Sequence, residues 1–227
     1  MTFDFETAVP WGRSLDEYVR MFALSEQDLE TKILDCGGGP ASFNAEMTQR
    51  GSRVISVDPL YAYSARDIKR RVDEVYPAMV QSMECERERF VWNHLGSPAQ
   101  VGTLRLAAMQ RFLDDYEVGL TQGRYVIGEL PSLPFDDDAF DLVLCSHLLF
   151  LYSEQLSIEF HQQALREMLR VGRQVRVFPL LDLSGQCSEH LETSTATLEA
   201  RRMNVQIQDV AYEFQRGGNR MLTASRP

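Results

Sequence analysis

The chain has 227 residues, 44% hydrophobic and 25% charged, and its 33 acidic against 23 basic side chains give a net charge of −10. That composition is ordinary for a globular protein, and the acidic balance argues against nucleic acid, whose partners need a basic surface to displace counterions. No apolar run approaches the roughly 20 residues that cross a bilayer, so no membrane partner is expected either.

The densest basic cluster, Lys69, Arg70 and Arg71, is flanked by Asp67, Asp73 and Glu74 and reads as a solvated helix face. The amino-terminal MTFDFETAVPWGR is acidic where a secretion signal is basic. Cys36, Cys85, Cys145 and Cys187 form no CxxC pair and read as reduced, mostly buried thiols of a cytoplasmic protein. The histidines, His94, His147, His161 and His190, have no zinc-site spacing, and no metal is expected.

Along the chain, Leu15, Tyr18, Val19 and Phe22 have helical spacing, and residues 25–28 resemble a capping box opening a second short helix. KILDC reads as a buried strand, 42–50 as a helix stopped by Gly51, and RVISVD as a second strand. This β-α-β unit implies parallel strands and a right-handed crossover. From 64 to 120 the pattern is helical. One helix starts at SARD, with Ile68, Val72 and Val75 on one face until Pro77 bends or ends it. SPAQ starts another, with Val101, Leu104, Ala108 and Phe112 facing inward. About 40 of these residues exceed an ordinary connection and read as an insertion.

Strands resume at RYVIG and FDLVLCS. A helix from about 154 to 171 precedes the strand QVRVFPL, and another helix lies near 188–203. Two β-prone runs joined by 216–219 end the chain as an antiparallel hairpin. The fold expected is a single α/β domain over residues 1–227, doubly wound and Rossmann-like, its sheet mostly parallel.

The stretch ILDCGGGPASF carries the chemistry. Gly37, Gly38 and Gly39 let the backbone approach a ligand at a strand tip and helix mouth, where doubly wound sheets bind cofactors. The dinucleotide fingerprint fits only in part, since Ser42 stands where its third glycine belongs. Asp35 would repel a pyrophosphate and attract a cofactor bearing an ammonium and a sulfonium, which describes S-adenosylmethionine. The plain alternative is a bare strand-to-helix turn. Asp58, 23 residues on, can accept from both ribose hydroxyls or serve as a turn aspartate.

With GELPSLPFDDDAFDLVLCSH the sequence resembles the class I S-adenosylmethionine-dependent methyltransferases. The resemblance covers about 30–60 and 123–180 and implies a seven-stranded sheet with its last strand inserted antiparallel. It places Glu129 at the adenine amino group and the end of FDLVLCSH beside the methionine part. Pro59, Leu130 and Ser146 join the implied cofactor set. Ala41 replaces the third glycine of the family loop, RVGRQV stands where K-P-G-G is common, and 64–120 has no counterpart in the common core. VPWGRSLDEYVRMFALS and YEFQRGGNRML further resemble a narrower bacterial methyltransferase subgroup without an assigned substrate.

Methyl transfer needs alignment, dryness and, for some acceptors, a base. His147, directly after FDLVLCS, is the candidate base, or it simply packs beside the cofactor. Tyr61 and Tyr152 are candidates for the acceptor pocket, with burial in the core as the plain reading. Arg13 and Arg216 could hold the cofactor carboxylate or an acidic acceptor. CSHL replaces the D/N-P-P-Y/F turn of nucleic-acid amino methylases, and no proline precedes a cysteine, so the expected acceptor is a small molecule. The insertion reads as a lid over the cleft or as a homodimer surface. A non-catalytic S-adenosylmethionine or S-adenosylhomocysteine binder and a nicotinamide-dependent oxidoreductase are the competing functions.

Overall fold

The computed structural model describes residues 4–5, 9–93 and 95–227; His94 and parts of the acidic amino-terminal stretch lie outside them. Two short capped helices, α1 (Leu15–Phe22) and α2 (Glu26–Leu29), lead into β1 (Lys32–Cys36), α3 (Phe43–Gln49) and β2 (Arg53–Val57). The long helices α4 (Ala65–Cys85) and α5 (Pro98–Thr121) precede β3 (Tyr125–Val126) and β4 (Phe140–Ser146). Then come α6 (Ile158–Val171), β5 (Gly172–Phe178), α7 (Leu191–Ala200), β6 (Asn204–Asp209) and β7 (Arg220–Ser225).

The strands form one seven-stranded sheet in the order β3-β2-β1-β4-β5-β7-β6. Pairings from β3 to β5 are parallel, and β7 runs antiparallel to both its neighbours. Side chains alternate across a strand, so the central apolar strands feed two cores. Leu34, Val143 and Cys145 pack with Leu165 and Met168 of α6 on one face. Ile33, Leu142 and Leu144 pack with Tyr18, Phe22 and Phe43 on the other. Between β1 and β4 the strand order reverses, and a crevice opens beyond their carboxyl ends, where such sheets take ligands.

Several boundaries differ from the sequence reading. α4 runs straight through Pro77 to Cys85. Gly102 of α5 holds the helix on either side of the proline, since a β-carbon there would meet Tyr76 and Val80. Leu104 does not face inward but is 48% exposed, and Arg105 beside it is buried instead. β3 is only two residues long, and α6 begins at Ile158 rather than 154. β6 pairs with β7 as far as Asp209 and Arg220, so the link is a ten-residue excursion, 210–219, rather than a tight turn. Its Tyr212 and Phe214 leave the sheet to join the core. Of the four free cysteines only Cys36 and Cys145 are buried; Cys85 and Cys187 are exposed. No helix of the described residues is long and apolar enough to cross a membrane, and no group of them could hold a metal ion.

Candidate functional site

A cleft of about 860 Å³ lies over the carboxyl ends of the central strands. Segments far apart in sequence meet in it: the glycine turn after β1, Asp58 and Pro59 after β2, Glu129 and Leu130 after β3, and Ser146 ending β4 with His147 and Tyr152 beyond it. Topology explains the gathering, because parallel strands put all their trailing loops on one edge.

The turn needs its glycines. Gly37 has φ +68°, and a β-carbon on Gly38 would lie 2.2 Å from Oδ2 of Asp35. Asp35 itself is 1% exposed and does not line the cleft. Tyr18 donates to its Oδ1 at 3.0 Å and Ser56 to its Oδ2 at 3.1 Å. Burial outweighs these two bonds and pushes the carboxyl up to about 7. Asp35 therefore props the turn from beneath, which corrects the expectation that its carboxylate meets the cofactor face to face.

Asp58 caps the turn after β2. Its Oδ2 accepts from the Gly39 amide at 2.9 Å and its Oδ1 from Leu60 at 2.8 Å. Burial, partly offset by these backbone bonds, raises it to about 6, and the Glu129 charge adds to the rise. Asp58 is thus a turn aspartate, and the residue also lines the cleft.

At the other end His147 holds a left-handed φ of 53°, unusual away from glycine, with its amide donating to Phe178 O at 2.7 Å. Its Nδ1 lies 2.9 Å from Ser146 Oγ. Burial, then the positive charges of Arg13 and Arg105, hold its pKa well below the usual histidine range, so the ring is neutral. Arg13 also lines the cleft, along a segment pressed on the glycine turn: Ser42 N donates to Arg13 O at 3.0 Å. One of its N–H groups reaches Trp11 O at 3.2 Å, while the buried Nε has no partner. Burial and the charge of Arg105 lower the Arg13 pKa.

Behind this wall sits a buried triad. Arg105 of α5 pairs with Glu17 of α1, and Tyr212 donates to Glu17 Oε1 at 2.9 Å and accepts from Arg105 at 3.1 Å. Burial works to raise Glu17, but Arg105 wins and lowers it. Arg105 escapes sequence reading because a lone arginine on a helix reads as surface. The same Glu17 closes the Ser14 capping box, the one local signal available.

Two candidates fall outside the site. Tyr61 is a core residue packed among Phe112, Tyr116 and Tyr125, and its hydroxyl donates to Gly39 O at 2.9 Å. It supports the turn and does not line the acceptor pocket, because three aromatic neighbours enclose it. Arg216 is exposed and donates to Glu88 O at 3.2 Å and Phe90 O at 3.5 Å, so it staples two loops and does not enter the cleft. Tyr152 does line it.

The class this arrangement defines is a nucleoside-cofactor fold with an antiparallel seventh strand and acids at the ends of β2 and β3. A family model described as a methyltransferase domain matches residues 99–175. A curated relative from Methanocaldococcus jannaschii, Uncharacterized protein MJ0045, is 32% identical over 216 residues, 95% of each chain. The mitomycin 7-O-methyltransferase MmcR superposes with TM-score 0.50 at 14% identity, covering 94% of this chain and 54% of that one. Magnesium protoporphyrin IX methyltransferase from Synechocystis, with bound S-adenosylmethionine, gives 0.49 at 13%, over 94% and 78%. At such identities the structural likeness speaks to the fold alone.

The chain belongs to one family with the archaeal protein, and its residues 99–175 match a methyltransferase domain. The lining of the cleft suits the S-adenosylmethionine that the sequence resemblance implies, with Asp58 and Glu129 after two of the strands and Arg13, whose buried Nε has no partner, on the same cleft.

Proposed function

We propose that the chain is an enzyme that methylates a small molecule, working as one domain whose segment 64–120 walls the acceptor side of the cleft. One observation carries this reading: the glycine turn, Asp58, Glu129, Arg13 and His147, scattered over the sequence, line a single cleft. The bound cofactor supplies an electrophilic methyl group on sulfur. The glycine-turn backbone closes on the sugar and methionine parts, Asp58 takes the ribose hydroxyls and Glu129 the adenine amino group. Pro59 and Leu130 flank the ring. Arg13 takes the carboxylate, which gives its buried Nε the partner it lacks.

Ser146 fixes the His147 ring, and the neutral imidazole accepts a proton or hydrogen bond from the acceptor. Tyr152 bounds the acceptor. Met79 and Met83 of α4 and Glu86 just after it line the cleft too, which favours the wall over a dimer surface as the work of this segment. Four unpaired cysteines and an acidic surface support a cytoplasmic protein without a nucleic-acid partner.

The test is incubation with methyl-labelled S-adenosylmethionine and a lysate metabolite pool, alongside calorimetry with S-adenosylhomocysteine. Label should pass to a low-molecular-weight compound only when the protein is present. Binding without any transfer would leave a non-catalytic cofactor binder.

A further inference from the structure

The outer half of the cleft identifies the acceptor more closely. Met79, Met83, Phe90, Tyr152, Leu183 and Phe214 line it, from four separate segments. These segments are stitched together: Val91 N donates to Phe214 O at 2.8 Å, Arg216 N to Arg89 O at 2.8 Å, and Arg89 Nη2 to Leu183 O at 2.5 Å. Phe90 and Phe214 stack with centroids 4.7 Å apart. The wall is therefore built in advance, and its methionines adapt to flat or irregular apolar shapes.

The charged side chains nearest this lining already have partners, Asp4 among them. Glu86 and Arg89, the charged residues that α4 and the following turn bring to the chamber, pair with each other. Arg216 spends its guanidinium on backbone carbonyls. Arg13, whose buried Nε has no partner while one Nη donates to Trp11 O, lies in the segment that accepts from Ser42 N just after the glycine turn. A charged acceptor would lose its hydration among these apolar side chains, whereas apolar surface gains by burial.

Resting on the methyltransferase reading, we infer that this chamber takes a flat, largely apolar and uncharged acceptor whose hydroxyl group turns inward to His147. The acceptor oxygen forms its bond to the methyl carbon as the carbon–sulfur bond breaks, the electron pair staying on sulfur. The hydroxyl proton goes to the imidazole, which then returns it to solvent.

The experiment is calorimetric titration of the full chain, saturated with S-adenosylhomocysteine, with 2-naphthol and 2-naphthoate. Naphthol should bind about tenfold tighter or better. Phe214→Ser should weaken it by about fivefold or more, as should the milder Met79→Asn, with S-adenosylhomocysteine affinity unchanged. Equal or tighter binding of naphthoate would mean an anionic acceptor seated on Arg13 and would overturn the inference, as would no saturable naphthol binding or variants that leave it unaltered. A wild-type chain that binds no S-adenosylhomocysteine sinks the methyltransferase reading itself, a result separable from all of these.

Discussion

Asp35 makes the stability of the ligand-free protein depend on pH in a direction opposite to most carboxylates. Its folded pKa is about 7 against 3.8 as an ordinary side chain, because burial beneath Gly38 outweighs the bonds from Tyr18 and Ser56. With a raised folded pKa, the unfolded chain releases its proton first as pH rises above 3.8. The folded form holds on until about 7. Stability from this group is thus complete below the unfolded value and lost as pH climbs through the folded one. The full span is worth about 4 kcal/mol, of which about 3 kcal/mol falls between pH 5 and 8. Asp35→Asn removes the titration while keeping an oxygen for Tyr18 and an amide for Ser56. Urea unfolding at pH 5, 6, 7 and 8, followed by tryptophan emission, isolates the effect as the difference between the two proteins, since Asp58 is common to both. The variant should gain about 3 kcal/mol on the wild type from pH 5 to pH 8. Difference curves flat with pH would refute the placement of a proton on buried Asp35.

Three further substitutions test the site from other sides. Gly38→Ala puts a β-carbon 2.2 Å from Asp35 Oδ2, so it should cost about 1–3 kcal/mol in thermal unfolding and weaken S-adenosylhomocysteine at least about tenfold by calorimetry. Arg105→Met leaves Glu17 buried without its cation and should cost about 3–5 kcal/mol by denaturant unfolding, with Glu17→Gln added to it recovering part of the loss. Tyr61→Phe removes one hydrogen bond to Gly39 O and should cost about 1 kcal/mol of stability, measured the same way, while leaving acceptor affinity unchanged.

Local patterns made the frame legible. KILDC and FDLVLCS are apolar on both faces because helices cover both sides of the sheet, and their strands fall where the periodicity puts them. Ser97 and Pro98 announce α5 as capping chemistry requires. What sequence missed are the long-range choices. Pro77 is kept inside α4 by packing on Gly102, and Arg105 is turned inward by an acid 88 positions earlier. Tyr61 and Arg216 were plausible in the pocket because their neighbours in sequence are there, yet one residue of helical turn or loop sends each elsewhere.

Asp35 carries the sharper lesson. Its carboxylate is bonded to Tyr18 and Ser56 and does not line the cleft. An acid at that tip is useful because it is small, polar and hydrogen-bonded, filling the space that the missing Gly38 β-carbon leaves and fixing Tyr18 and Ser56 against the turn. Charge in the cleft comes from several segments: Asp4 and Arg13 before β1, Asp58 after β2, Glu86 and Arg89 after α4, and Glu129 after β3. Acids at Asp58 and Glu129 disfavour a ligand with phosphates beside them, since burial already raises the Asp58 pKa and the Glu129 charge adds to the rise. The preference first read from one aspartate thus belongs to Asp58 and Glu129.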